Sequence, residues 1–587
     1  MKKVLLVGLA AAAASLVAAG SASSNPDWAG QCGIASQETV WAEYGWPTLL
    51  PILARPGTLL AVTNNPHSDY PAQARARGAA TYEFQVHMKD KVGTPQAPAD
   101  PSTIAAAAQT EYDNAVSHTG GCQTPLIVEN ELFGANNVPP WIPSTVQYRA
   151  DVLAFFQDLA ALGAHPVLLV SRAPFTGTSD AVAWWLDIAK VASIVREDYV
   201  PAPAIWKLGP VLGNRQLRED YRQAVADFTS IGIPPSRLGI MISVLTGKGG
   251  GGRNELEPAS AWYQVVKWYA LSAKQVAREL GLGSVFSWGW QQWNPKEVDP
   301  TKREAACVWL WTRDKSLCNA PRLLGKGFDT SLTEGQIILR RGTQCRVPGL
   351  GSISETDAAR LTLVTGDRNA ALSALLERLV ESSRAAVKQH DVLAAERTVV
   401  RESFGGSTAA YHAALAQAHA TVSEARAVLA DELRAARLEA SLPVRTPTAA
   451  EVAAFYSDYP DLSVRSVSVK PKAPWLGGRN RGLALSGAAP AELFSAASGR
   501  KAKITTLAGT YTVEPAGAAI PLAALSISAA RPAIVAALEG FERTQALERW
   551  MESLQRQALE TAICRADELP QPGNVDLTQY LPFLQLQ

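Results

Sequence analysis

Short apolar runs bounded by Gly, Pro and polar residues recur through the first half of the chain. They lie at Val40 to Tyr44, Leu59 to Thr63, Ala80 to Val86, Pro125 to Glu129, Pro166 to Val170, Ala192 to Arg196, Leu238 to Val244 and Ser284 to Trp288. Runs this short that are apolar on both faces read as buried strands. Between several of them the apolar residues take helical spacing instead, at Val146 to Leu162 (opened by Ser144 or Thr145), Leu217 to Ile231 and Ala259 to Leu280. Strands alternating with helices imply parallel pairing, and eight such units predict an α/β fold, a (β/α)8 TIM barrel. No Gly-x-Gly-x-x-Gly opens a helix after the first strand, so a doubly wound dinucleotide-binding sheet gains no support. The run Gly247 to Gly252 lacks the order of a phosphate loop and reads as a flexible loop after the seventh strand.

Past about residue 350 the pattern changes. Fourteen of the 16 Trp lie between Trp28 and Trp311, and the later sequence is rich in Ala, Arg, Glu and Leu. Asp367 to Leu442 has no Pro and only the pair Gly405-Gly406, which predicts a helical hairpin broken at the glycines. A capped helix at Thr446 to Tyr456, strands near 462–469 and 482–486, a helix at Ala491 to Ser498, a hairpin at 504–514 and a closing helix from Arg531 to Cys564 follow. The expected order is a signal peptide at 1–22, a barrel at 28–320, a linker or cap at 321–352, a helical segment at 353–445, an α+β module at 446–570 and a tail at 571–587.

Composition narrows the function. Lys plus Arg is 55 against 54 for Asp plus Glu, a net charge of +1, so no global field draws in nucleic acid. Lys2 and Lys3 precede an apolar run to Ala19, and Gly20-Ser21-Ala22 offers small residues for cleavage, the pattern of a secretory signal. No later run is long enough to span a membrane. The expectation is a secreted or cell-envelope protein, soluble once the signal is removed. The six cysteines, Cys32, Cys122, Cys307, Cys318, Cys345 and Cys564, suit disulfides in such a compartment, with Cys307 and Cys318 placed to staple one loop. No Cys-x-x-Cys or matching His spacing suggests a metal, and no motif suggests a cofactor; both are expected to be absent.

A barrel of this kind carries its chemistry at the C-terminal ends of its strands. Those ends hold Glu43, Glu83, Glu129, Glu131, Glu197 and Asp198. The fourth strand continues Glu129-Asn130-Glu131, and the eighth reads Trp288-Gly-Trp290-Gln-Gln-Trp293. Asn130-Glu131 and the aromatic strip resemble the acid/base position and the sugar platform of the retaining glycoside hydrolases built on this barrel, over residues 35 to 318. The resemblance implies Glu131 as general acid and Asn130, Trp288, Trp290 and Trp293 as substrate contacts, with a polysaccharide or glycan as partner; Glu197 is the candidate for the second carboxylate and Glu43 a further substrate contact. That family keeps a Glu at the end of strand seven, where this chain reads Ser243-Val-Leu245-Thr246; Glu43 and Glu255 are the alternatives to Glu197 for the second acid. The plainer readings are Glu131 paired with Arg172 or Arg196, Glu197 salt-bridged beside Arg196, and Trp288 and Trp290 as barrel packing.

In the second half, Thr448, Glu451, Val452, Phe455 and Tyr456, the stretch 493–499 and Gly509-Thr-Tyr-Thr-Val resemble the chaperone SurA and related parvulin-type (PpiC) prolyl isomerases. The resemblance implies a cradle for unfolded or extended protein segments. Isomerase activity is not expected, because no His lies between 447 and 565. Enzymatic hydrolysis by the barrel and a non-catalytic glycan- and protein-binding protein are the two readings left open.

Overall fold

In the computed structural model the described residues are 26–44, 47–62, 69–85, 87–130, 132, 141–247, 251–290, 301–330, 339–507 and 509–585. The expected signal peptide, Glu131 and Trp293 lie outside them. The chain divides into two compact units, Met1–Ile338 and Leu339–Gln587.

All eight apolar runs of the first unit form strands: β1 (Val40–Glu43), β2 (Leu59–Val62), β3 (Ala80–Gln85), β4 (Leu126–Glu129), β5 (His165–Val170), β6 (Ser193–Asp198), β7 (Leu238–Ser243) and β8 (Ser284–Trp288). They pair in parallel and close into a barrel, with Val40 of β1 opposite Ser284 of β8. After the strands come α1 (Leu50–Leu53), α2 (Tyr70–Ala76), α3 (Ile104–His118), α4 (Val146–Ala161), α5 (Ser179–Val191), α6 (Ala202–Ser230), α7 (Ala259–Leu280) and α8 (Lys302–Arg313). Helix α6 starts earlier than the periodicity predicts, because a second piece joins it across a kink at Gly209 (φ 78°) and Pro210.

Successive strand residues point to opposite faces, and the two faces belong to separate cores. Val40, Ala42, Leu59, Ala61, Tyr82, Phe84, Leu126, Val128, Val167, Leu169, Val195, Met241 and Phe286 fill the lumen. Trp41, Leu60, Ile127, Leu168, Ile194, Ile240 and Val285 pack outward against helix residues such as Phe155, Trp185, Tyr221, Trp262 and Trp309. Trp184 and Trp185 on α5 are both buried there. Burying a large aromatic contributes roughly 2–3 kcal/mol, so this outer layer carries much of the unit's stability. At the N-terminal ends of the strands Trp28 and Ile34 join the lumen cluster and plug it, on a segment tied down by Cys32–Cys122. The C-terminal ends form the mouth.

The second unit combines β9 (Thr343–Val347), β10 (Gly351–Ser354), β11 (Ser463–Ala473), β12 (Arg479–Leu485), β13 (Ala502–Thr506), β14 (Gly509–Pro521) and β15 (Ile563–Cys564). A three-stranded sheet runs β10-β9-β15, and a four-stranded antiparallel sheet runs β12-β11-β14-β13. Its helices are α9 (Glu355–Thr365), α10 (Arg368–Arg384), α11 (Gln389–Phe404), α12 (Thr408–Gln417), α13 (Val422–Ser441), α14 (Ala449–Asp458) and α15 (Ile527–Thr561). Where one hairpin was expected over 367–442, four helices stand. The Gly405 break is present, but the others need no glycine: Thr421 and Glu424 form a capping box that restarts the chain as α13. Within the expected linker, 321–352, β9 is ordered and Cys345 bonds Cys564. Cys307 and Cys318 pair as expected, and no cysteine is left free. Full pairing fits an oxidising compartment. Among the described residues no helix is long and apolar enough to cross a membrane.

Candidate active site

The acids at the strand ends divide by the same alternation that separates the two cores. On β1, β3 and β4 the lumen residues are Ala42, Phe84 and Val128, so Glu43, Glu83 and Glu129 face the helices. On β6 the lumen residue is Val195, so Glu197 faces inward and Asp198 outward. Glu197 is thus the one acid at a described strand end whose side chain lies on the lumen face.

The outward acids are built into the wall. Glu43 is wholly buried and accepts hydrogen bonds from Ser287 Oγ, from Trp309 Nε1 at 3.0 Å and from the Arg313 guanidinium, the last two on α8. Glu83 Oε2 meets His118 Nδ1 at 2.7 Å, and Gln85 Nε2 donates to Glu83 Oε1 at 3.0 Å. The hydrogen bond to Glu83 holds the His118 ring above its usual range. Lys91 pairs with Glu111 at 2.7 Å. Glu129 is fully buried, and neither carboxylate oxygen has a hydrogen-bond partner among the described residues. Burial pushes its pKa up to about 8; Lys91 opposes the rise, while Glu111 and Glu83 add to it. Burial and Asp220 likewise push Asp198 up to about 7, with Arg196 opposing.

The lumen side of the mouth has different chemistry. Glu197 is buried with only 5% of its surface exposed. Two residues on, and on the same face, Tyr199 stacks on Trp288 with ring centroids 5.3 Å apart and planes 12° apart. Tyr199 Oη also donates to Met241 Sδ at 3.4 Å. Tyr44 lies against Phe84 at 4.4 Å. Asn130 follows Val128 in the alternation, is partly buried, and donates its backbone N–H to Gln85 O at 2.9 Å. At the end of β7, Ser243 Oγ accepts from Leu245 N at 3.3 Å, and no acid stands there.

Two glycine positions shape this mouth. Gly289 has φ 94°, and a Cβ there would sit 2.8 Å from Leu245 N. That left-handed turn sends Trp288 and Trp290 to opposite sides, although a strand would place both on one face. Trp290 is buried in the wall, donating to Ser287 Oγ at 2.7 Å and touching Trp309 edge-on. Gly252 (φ 64°) would place a Cβ 2.4 Å from Leu245 O, and Gly251 packs on the Tyr199 backbone. The end of the glycine run expected as a flexible loop is therefore buried against the mouth.

The sequence-derived candidates thus separate. Glu197, Trp288 and Asn130 fall on the lumen side by the strand alternation. Glu43 and Trp290 are drawn away into the wall, because Arg313 and Trp309 of α8 engage Glu43 and the Gly289 turn redirects Trp290. Glu255, the other alternative acid, is exposed on the loop before α7. Tyr199 was missed, although its position two residues after Glu197 on one strand marks the same face. Among the described residues no group of three His, Cys, Asp or Glu is arranged to hold a metal.

No protein-family model matches the chain, and no curated protein matches it. Solved structures with similar layout include the Bacillus megaterium QM B1551 spore cortex-lytic enzyme SleL, at 10% identity over 43% of this chain and 70% of that one, with a TM-score of 0.28. A broad-specificity endoglucanase from an uncultured bacterium aligns at 12% identity over 45% and 85%, with a TM-score of 0.29. Fungal β-1,4-galactanases align at 14% identity over 42% and 88%, with a TM-score of 0.28. Similarity at this level leaves the chemistry to be argued from the mouth itself.

Proposed function

We propose that the first unit is an exported glycan-acting barrel that hydrolyses a polysaccharide, with Glu197 as catalytic carboxylate and Glu131 as general acid. The observation that carries this is the lumen placement of Glu197 beside the Tyr199–Trp288 stack. Aromatic faces suit the C–H faces of sugar rings, and a carboxylate two residues from such a face stands where a ring would rest. Glycoside hydrolysis uses two carboxylates, about 5–5.5 Å apart for retention and about 6.5–9.5 Å for inversion. Strands β4 and β6 flank β5, and the sequence carries Glu131 two residues past the end of β4. Asn130 would orient a sugar hydroxyl, and Trp293 would extend the aromatic strip.

A second reading, a glycan-binding barrel without turnover, is favoured by the missing acid at the end of β7. In either reading the second unit would supply a cradle for extended protein segments, as its resemblance to SurA implies. The test is release of reducing sugar from a broad polysaccharide panel by the mature chain, beside Glu197→Gln and Glu131→Gln. Turnover lost in both folded variants supports hydrolysis. A wild type that binds glycan without releasing sugar, and whose affinity falls with Trp288→Ala alone, supports the binding reading.

A further inference from the structure

The second unit contains a pocket of about 290 Å³ lined by α10, α13, α15 and residues 574–578. Its polar lining is dominated by acids, among them Glu377, Glu381, Asp431, Glu432 and Glu548. Asp431 is already satisfied by two arginines, Arg378 at 2.7 Å and Arg434 at 2.6 Å. Glu381 is different. Only 3% of its surface is exposed, and its Oε2 is buried with no hydrogen-bond partner among the described residues. A buried carboxylate oxygen with no donor is costly, and Glu381 is one of the residues lining a cavity large enough for a small molecule. Between the acids lie Val428, Leu547, Met551 and Leu577, an aliphatic lining.

We propose that this pocket binds a small aliphatic polyamine, its ammonium groups paired with the scattered carboxylates and its methylenes lying on the aliphatic wall. Charge and shape both favour an organic cation over a metal ion. The carboxylates surround the cavity without converging, and no metal-ligating group of three appears among the described residues. A chain with ammonium groups several ångströms apart meets such spread charges, whereas a divalent ion needs its oxygens gathered within about 2.0–2.6 Å. Burial and the neighbouring acids also push the Glu381 carboxyl up to about 9 and Glu377 and Glu432 to about 7, with Arg434 opposing the rise at Glu381 and the Val575 N–H opposing it at Glu377. This inference is independent of the barrel's activity.

The experiment is calorimetric titration of the full chain with spermidine, beside magnesium and calcium chloride at matched ionic strength. Saturable spermidine binding, weakened at least about tenfold in Glu381→Gln, is the expected result. Glu548, exposed at the rim, gives a variant that leaves folding intact; Glu548→Gln should weaken binding by about two- to threefold. If Glu381→Gln fails to fold, the Glu548→Gln titration decides alone. Absence of saturable spermidine binding overturns the proposal. So does spermidine affinity unchanged in the folded variants, or displacement of spermidine by equimolar magnesium or calcium.

Discussion

The two faces of the barrel strands use the same residue type for opposite purposes. Glu43 is the last residue of β1 and Glu197 the penultimate residue of β6, and both are buried, yet Glu43 is held by Ser287, Trp309 and Arg313 in the wall while Glu197 lies two residues before Tyr199 of a stacked aromatic pair on the lumen face. The difference comes from parity alone. One residue of offset along a strand decides whether a carboxylate closes an ion pair with a helix or faces the lumen. Trp288 and Trp290 repeat the lesson, with Gly289 supplying the offset.

The comparison is broken most directly at the wall. Arg313→Met leaves the Glu43 carboxylate buried without its cation, and stability should fall by about 3–5 kcal/mol, read as a lower denaturant midpoint. Trp290→Ala should cost about 3–5 kcal/mol through the cavity it leaves, while Trp288→Ala should cost about 1 kcal/mol and act mainly on glycan affinity, measured by titration with oligosaccharides. Equal destabilisation by the two tryptophan variants would erase the distinction between faces.

Glu129 sharpens the comparison through pH. Its carboxyl is raised from 4.5 to about 8 in the folded chain. Between those values the unfolded chain has lost a proton that the folded chain keeps, so wild-type stability declines as pH rises from about 4.5 towards 8. Glu129→Gln removes that slope and should stabilise the protein at pH 7 by about 2 kcal/mol, seen as unfolding midpoints that converge at pH 4 and separate at pH 7. The smallest effect belongs to His118, whose raised pKa makes its contribution full below pH 6.5 and lost as pH rises through the folded value. His118→Asn should therefore matter at pH 6 and hardly at pH 9 in the same unfolding series.

The strands were legible in the sequence because each apolar run is short, bounded by turn residues and rich in side chains that suit a pleated surface. Ser284 to Trp288 matches its run residue for residue, and so does helix α7. The site was only half legible, for a physical reason. Both faces of a parallel barrel are buried, so hydrophobicity cannot say which parity faces the lumen. Glu43 and Glu197 therefore looked alike until the helices showed which residues they met. In the second unit, helix breaks made by side-chain caps such as Thr421 left no Gly or Pro to mark them.

The measurement that tests the account most directly is a paired one: turnover on a cleaved polysaccharide and unfolding free energy for Glu197→Gln and Glu43→Gln together. The account predicts inversion. Glu197→Gln should lower turnover by about 10²–10⁴-fold with the chain still folded, and Glu43→Gln should lower stability by about 3 kcal/mol with turnover of the folded fraction retained. Full turnover in Glu197→Gln, or a loss of turnover in folded Glu43→Gln as large as in Glu197→Gln, would contradict it.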